Sequence, residues 1–324
     1  MYEREKAVLL ASSASMISNN VCRLSINGKM YAGVVHSGEL NVVCPSSPDT
    51  EPRRVVAHVG SSSSIVATIM QASWVQVHDR ALLVLATNAG ALIYEWDGSV
   101  LLCAHLLPQP SPDAHASFCR GIAALYTGFI CVGVHTGEIV ALSVEAGPNG
   151  IIEEAERVRW HSRPITALAS YGKVLVSGDD AGNIAICEDR EAGAGLSRLA
   201  SIDSYGSPVT CLATWSGMVI AGYLSGHIRL YHLQDGKIMA EVCAHVRNIT
   251  AVDVAQETGY LLSASEDTYV RVWQLSHDPN KPIEHKYCST EENAAVCGAA
   301  FSDAQGAGYV TAAYDRREIL CYAM

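Results

Sequence analysis

Residues 244–273, AHVRNITAVDVAQETGYLLSASEDTYVRVW, constrain this chain more than any other segment, because polar residues punctuate alternating apolar runs at fixed offsets. His245 precedes a first apolar run, Ser263 lies on a second, Asp267 falls in the turn after it, and Trp273 lies on a third. Period-two alternation bounded by turn residues favours strands over helices. The segment is therefore expected to form consecutive antiparallel strands.

The same strand-turn-strand signature recurs along the chain. It appears as YAGVVHSGEL from Tyr31, VLATNAGALI from Val84, CVGVHTGEIV from Cys131 and LVSGDDAGNI from Leu175. Three more follow: IAGYLSGHIRL from Ile220, LLSASEDTYV from Leu261 and VTAAYDRREI from Val310. Aligned on Gly38, Gly90, Gly137, Gly182, Gly226, Thr268 and Arg317, the separations are 52, 47, 45, 44, 42 and 49 residues. A four-stranded propeller blade needs about 40 to 45. Glycine suits most of these turns because a tight antiparallel connection requires positive φ; at Thr268 and Arg317 a slightly different turn is expected. Small residues just before the turns (Gly133, Gly178, Gly222, Ala264) suit a crowded central axis.

Seven signatures predict an all-β chain: a single seven-bladed β-propeller over residues 1–324, with no long helix. Only seven residues follow Arg317, so the last blade lacks a strand. The apolar segment KAVLLAS from Lys6 has no partner of its own, and residues 5–12 are expected to supply that outer strand. Such closure removes an exposed edge. Segments 45–53 and 108–117 are expected to be inter-strand or inter-blade loops.

Charge narrows the partners. Lys plus Arg number 22 against 33 Asp plus Glu, a net charge of −11, which disfavours nucleic acid and favours proteins or peptides. Eleven cysteines with no C-x-x-C pair fit reduced, buried thiols and a cytosolic setting. The start MYEREKAVLLASS has only five consecutive apolar residues, too few for a secretory signal or membrane span. The expectation is a soluble cytoplasmic propeller, monomeric within a larger complex.

The residues GIAAL from Gly121, FICVGVHTG from Phe129, YLLSASEDTYVRVWQLS from Tyr260 and CGAAF from Cys297 resemble the WD-repeat β-propellers, and within them the WD repeat-containing protein 54 family. The match is densest over residues 119–275; the first hundred residues match in blade pattern. The resemblance implies an intracellular, non-catalytic scaffold, and cytoskeletal or ciliary assemblies by analogy with similar propellers. It also implies that His245, Ser263, Asp267 and Trp273 form a buried hydrogen-bonded tetrad. In the Trp273 slot the other blades offer Val43, Glu95, Leu142, Cys187, Tyr231 and Tyr322. The Trp96-Asp97 dipeptide is out of phase, so Asp97-Gly98 is expected to form a hairpin turn. In the fourth blade His161 and Ser177 are present with Ala181 in the Asp slot.

Several constellations could suggest chemistry. Ser263, His245 and Asp267 are the residue types of a hydrolase triad, but a nucleophile needs an exposed oxygen beside an oxyanion pocket. His36 and His135 occupy equivalent turns on non-adjacent blades, whereas metal ligands converge within about 2 Å of one ion. Asp179-Asp180 are expected to solvate a turn and cap amides. Glu153-Glu154 and Glu291-Glu292 are expected on solvated faces. No phosphate loop, H-E-x-x-H or dinucleotide fingerprint occurs, so no cofactor or metal is expected. A propeller hydrolase or small-ligand binder using the central channel is the alternative; converging carboxylates there would support it.

A propeller presents its loops on two faces. The candidate partner-binding face comprises His36, Asn88, His135, Asp179, Asp180, Tyr223, Glu266, Tyr314, Asp315 and Arg316 from the turns. Arg163, Tyr205 and Arg247 join it from loops before inner strands. Tyr and Arg are frequent interface hot spots.

Overall fold

The computed structural model describes residues 2–60, 65–108, 117–147, 150–190 and 195–324. They form seven four-stranded antiparallel sheets arranged as a propeller, with no helix among the described residues. Blades one to six span residues 22–56, 69–106, 119–159, 165–202, 209–243 and 249–290, each with its strands in chain order from inside to outside. Blade seven takes its three inner strands from residues 296–323 and its outer strand, Glu3–Leu9, from the N-terminus. That strand starts two residues earlier and ends three earlier than the segment expected from its apolar run.

Hydrophobic alternation places the core between blades. Seven buried clusters lie one at each blade interface. The small residues before the turns serve this packing. A Cβ on Gly133 would meet Ile165 Cγ2 at 2.2 Å, and one on Gly178 would meet Val209 Cγ1 at 2.6 Å. In both, the nearest obstacle is the first residue of the next blade's inner strand, joined at Gly133 by Arg120 O of its own blade at 2.4 Å, so strand packing, more than the axis, demands the small residue.

In blades two to seven the pairing of first and second strands shifts by a bulge near its start. A bulge re-aims one side chain. In blades five and six the re-aimed residues are Thr210 and Thr250, whose hydroxyls donate to the next blade at Ile249 O (2.6 Å) and Val296 O (2.7 Å). Buried Asn20 ties blade one in a similar way: its amide donates to Ser15 O and Val35 O and its oxygen accepts from Val35 N.

The turns differ in detail from expectation. Gly90, Gly137, Gly182 and Gly226 have positive φ, whereas Ser37 rather than Gly38 takes it in blade one. Thr268 itself adopts φ 75°, and in blade seven Asp315 rather than Arg317 is left-handed. Asp97-Gly98 forms the expected turn, with Gly98 N donating to Glu95 O at 2.8 Å. Loop 45–53 joins two strands of blade one; of loop 108–117, residues 109–116 lie outside the described residues. Among the described residues no helix is long and apolar enough to cross a membrane.

Candidate functional site: the loop face and the polar chains beneath it

Strands alternate direction, so each second-to-third-strand turn lies at the same end of its blade as the loop entering the inner strand. Backbone hydrogen bonds join the two: Asn88 N to Thr68 O, His135 N to Phe118 O, Asp180 N to Pro164 O, Leu224 N to Pro208 O, Glu266 N to Asn248 O and Tyr314 N to Ala295 O. These repeated joints fix one loop face.

Under it, in blade six, Trp273 Nε1–H donates to Ser263 Oγ (3.0 Å), Ser263 Oγ meets His245 Nε2 (2.9 Å), and His245 Nδ1 meets both oxygens of Asp267 (3.1 Å). Asp267 also accepts from Val246 N and Tyr269 N, each at 3.0 Å. Burial acts to raise its pKa, but the His245 hydrogen bond and charge and these amides outweigh it, leaving it at about 2. The order Ser–His–Asp is that of a hydrolase triad. Ser263 is fully buried and already accepts from Trp273, so its oxygen meets no substrate.

Blade four carries a second chain, and here the expected assignment is corrected. His161 Nε2 meets Ser177 Oγ at 2.8 Å and His161 Nδ1 meets Asp179 Oδ2 at 2.9 Å. Asp179, not Ala181, supplies the carboxylate. Asp179 sits two residues after the serine, still on the strand, and Ser265 takes the corresponding place in blade six. Asp179 also accepts from Ala181 N, Asn183 N and the Asn183 amide, and is fully buried. It is therefore removed from the exposed face.

Asp179→Ala is expected to destabilise the protein by about 2 kcal/mol, because it strands the buried His161 imidazole. Asp180→Ala, which removes an ion pair with exposed Arg163 (3.0 Å), should cost under about 1 kcal/mol. Urea denaturation of the two variants checks this, and equal losses would overturn it. Burial opposes ionisation of Asp179, yet its bonds from His161 and Asn183 lower its pKa overall. Its contribution is thus complete above the ordinary carboxylate range and disappears as pH falls through the lowered folded value.

Two further positions are corrected. Tyr223 is 0% exposed. It occupies the place of Asp179 in blade five, and its hydroxyl meets that of Tyr231, in the Trp273 slot, at 2.9 Å. In blade two, Tyr94 rather than Glu95 takes that slot, opposite Leu83 as Trp273 is opposite Leu261. Glu95 instead pairs with Arg80 at 2.8 Å.

The remaining face residues divide by engagement. His36 Nδ1 contacts Ser13 O (2.6 Å), His135 Nδ1 accepts from Phe118 N (3.3 Å), Asn88 Oδ1 accepts from Thr68 N (2.9 Å), and Glu266 accepts from Asn248 (2.8 Å). Tyr205 lies under the Arg229 guanidinium, 3.3 Å from ring centre to Cζ. Arg247, Tyr314, Asp315 and Arg316 are exposed, and among the described residues neither Arg247 nor Arg316 has an ion-pair partner. Beside them lie exposed Leu224 and Val246, which sequence reasoning missed. An apolar residue in a turn was the available signal.

The central channel holds a cavity of about 320 Å³ lined by inner strands of all seven blades, with Ile122, Leu168, Leu212 and Val252 among the lining side chains. Among the described residues Asp253 is its sole lining carboxylate; it accepts from Phe301 N (2.8 Å) and lies 3.7 Å from Arg23 Nε. Converging carboxylates are thus missing among the described residues. Glu154 is paired with Arg157 (3.0 Å), whereas Glu291, expected on a solvated face, is buried.

Seven four-stranded blades with His–Ser–Asp chains under the loop face define a WD-repeat propeller. The family model described as WDR54 matches residues 1–324, and the chain belongs to that family. WD repeat-containing protein 54 of Mus musculus is 35% identical over 336 aligned positions, covering 99% of this chain and 98% of that protein. Its Homo sapiens namesake is 33% identical, with 98% of each covered. Shk1 kinase-binding protein 15 of Schizosaccharomyces pombe is 25% identical over 67% of this chain and 57% of its own length. Among solved structures, a chain of the crystal structure of the mitotic checkpoint complex superposes with a TM-score of 0.77 over 99% of this chain and 91% of that one, at 15% identity. That likeness concerns the fold. Proteins of the WD-repeat propeller family typically act as protein-interaction scaffolds.

Proposed function

We propose that this chain is a non-catalytic scaffold or adaptor whose loop face binds partner proteins within a cytosolic assembly, cytoskeletal or ciliary in character. The observation that carries this reading is the grouping, on one fixed face, of exposed Arg163, Arg247, Arg316 and Tyr314 with exposed apolar Leu224 and Val246. Exposed arginines, of which Arg247 and Arg316 have no ion-pair partner among the described residues while Arg163 pairs with Asp180, together with accessible apolar side chains on a rigid support favour association, because little conformational freedom is lost on binding. The name of the fission-yeast relative, a kinase-binding protein, fits a protein partner. The net charge of −11 speaks against nucleic acid.

Charge reversal at Arg163, Arg247 and Arg316 is expected to abolish partner recovery in proximity labelling, with the melting temperature unchanged within about 2 °C, since these side chains are exposed. Undiminished recovery would reject this face.

A further inference from the structure

Glu291 follows the outer strand of blade six, Ile283–Thr290, and precedes the inner strand of blade seven, Val296–Phe301. Its backbone is held by Glu291 N donating to Thr268 O (2.9 Å) and by Ala294 N donating to Glu291 O (3.3 Å). The residue is 7% exposed. Its Oε1 accepts from the fully buried Thr311 hydroxyl; Oε2 has no hydrogen-bond partner among the described residues.

The carboxylate borders a cavity of about 550 Å³ between blades six and seven, a size typical of ligand sites. Tyr287, Tyr322 and Leu320 contribute to its walls. The two rings are fixed, Tyr287 by its hydroxyl donating to Tyr2 O (2.7 Å) and Tyr322 by stacking on Tyr309 at 4.5 Å between centroids. Arg4, Arg316, Glu292 and Glu318 also line the cavity, and among the described residues none of these four has an ion-pair partner.

A carboxylate withdrawn from water with one hydrogen bond and one open oxygen is stabilised strongly by an arriving cation. The arginines are exposed, so water and salt screen their opposing field. Tyrosine faces attract cations, and an apolar wall suits the alkyl stem of a long basic side chain. We propose that this cleft binds a lysine or arginine side chain of a partner peptide, with Glu291 as its buried counter-ion. Arg316 belongs to both the cleft and the loop face, so a partner crossing that face reaches the pocket at its rim. Acidic residues flanking the inserted side chain would meet Arg4 and Arg316. The inference rests on the reading of the chain as a protein-binding propeller, but its test needs no natural partner.

The test is an amide-resolved NMR titration of the full chain at pH 7.5 with n-butylammonium, n-butylguanidinium and butyrate. Saturable shifts with a cation, confined to the cleft at Arg4, residues 287–294 and residues 311–322, and an affinity loss of at least tenfold in Glu291→Gln, are expected. Gln keeps an oxygen for Thr311. Burial pushes the Glu291 pKa up, so this group favours the fold below the ordinary carboxylate range and loses that contribution as pH rises through the raised value. Glu291→Gln should therefore melt no lower than the parent at pH 7.5. Glu318→Lys, which places a competing cation at the cavity and leaves Glu291 intact, should weaken cation binding several-fold. Undiminished cation binding in either variant, or binding of butyrate in place of the cations, would overturn the proposal. These outcomes are separable from a failed partner recovery, which concerns the loop face.

Discussion

Trp273→Ala is expected to lower the stability of the protein by about 3–5 kcal/mol, measured by urea denaturation. Two effects add. Trp273 is 6% exposed and packs among Leu261, Leu275, Ile228 and Leu230 at the interface of blades five and six, so truncation opens a cavity lined by large apolar groups. The indole N–H is also the terminal donor of the Ser263–His245–Asp267 chain, and its loss removes a hydrogen bond from a wholly buried hydroxyl. Trp273→Phe separates the two: it fills most of the volume and lacks the donor, so about 1 kcal/mol is expected beyond any repacking. A Trp273→Ala loss below about 1 kcal/mol would show that neither effect operates.

Removing residues 1–13 is expected to have a comparable or larger effect. Glu3 to Leu9 pair with Glu318 to Ala323 through a ladder carrying one bulge. Around that ladder Tyr2, Val8 and Leu10 are buried, and the Tyr2 hydroxyl donates to Gly306 O. Burying three such side chains contributes about 5–8 kcal/mol, which approaches the net stability of many proteins. A fall in melting temperature on the order of 10 °C is expected, with partial recovery when a peptide of residues 1–13 is added in excess. An unchanged melting curve would reject the closure.

Blade number and closure were legible because each rests on a repeated pattern: turn residues at blade spacing, and one strand-like segment without a partner. The polar chain of blade six was legible because its four residues keep standard offsets. In blade four the same bonds arise from a different offset. Asp179 reaches His161 from the strand end because Asn183, rather than a second carboxylate in the turn, covers its oxygens. A pattern fixed on the turn position therefore finds Ala181 and misses the acid.

Tyr223 was misplaced for a related reason. In blade five a pair of hydroxyls replaces the imidazole and carboxylate, so a residue that looks like an exposed turn tyrosine belongs to the interior. Tyr94 was missed by one position because the hairpin of blade two is a residue shorter. Glu291 has no signal along the chain at all. Its burial comes from a neighbouring blade and from Thr311, twenty residues away, and local polarity points the other way.

The antiparallel pairing of Glu3 with Ala323 also sets a timetable. During synthesis at about 5–20 residues per second, the first strand made waits roughly 15 to 60 seconds for its partner to exist. Six blades can form meanwhile, each from contiguous chain, while residues 3–9 remain an unpaired edge. The seventh blade is the last for which all four strands exist, because it joins the first strand to the three at residues 296–323. Until Glu318–Ala323 have been made, the most complete fold open to the chain is a six-bladed arc with an unpaired strand at its start, and in that interval the open ring leaves apolar strand edges exposed to misassembly.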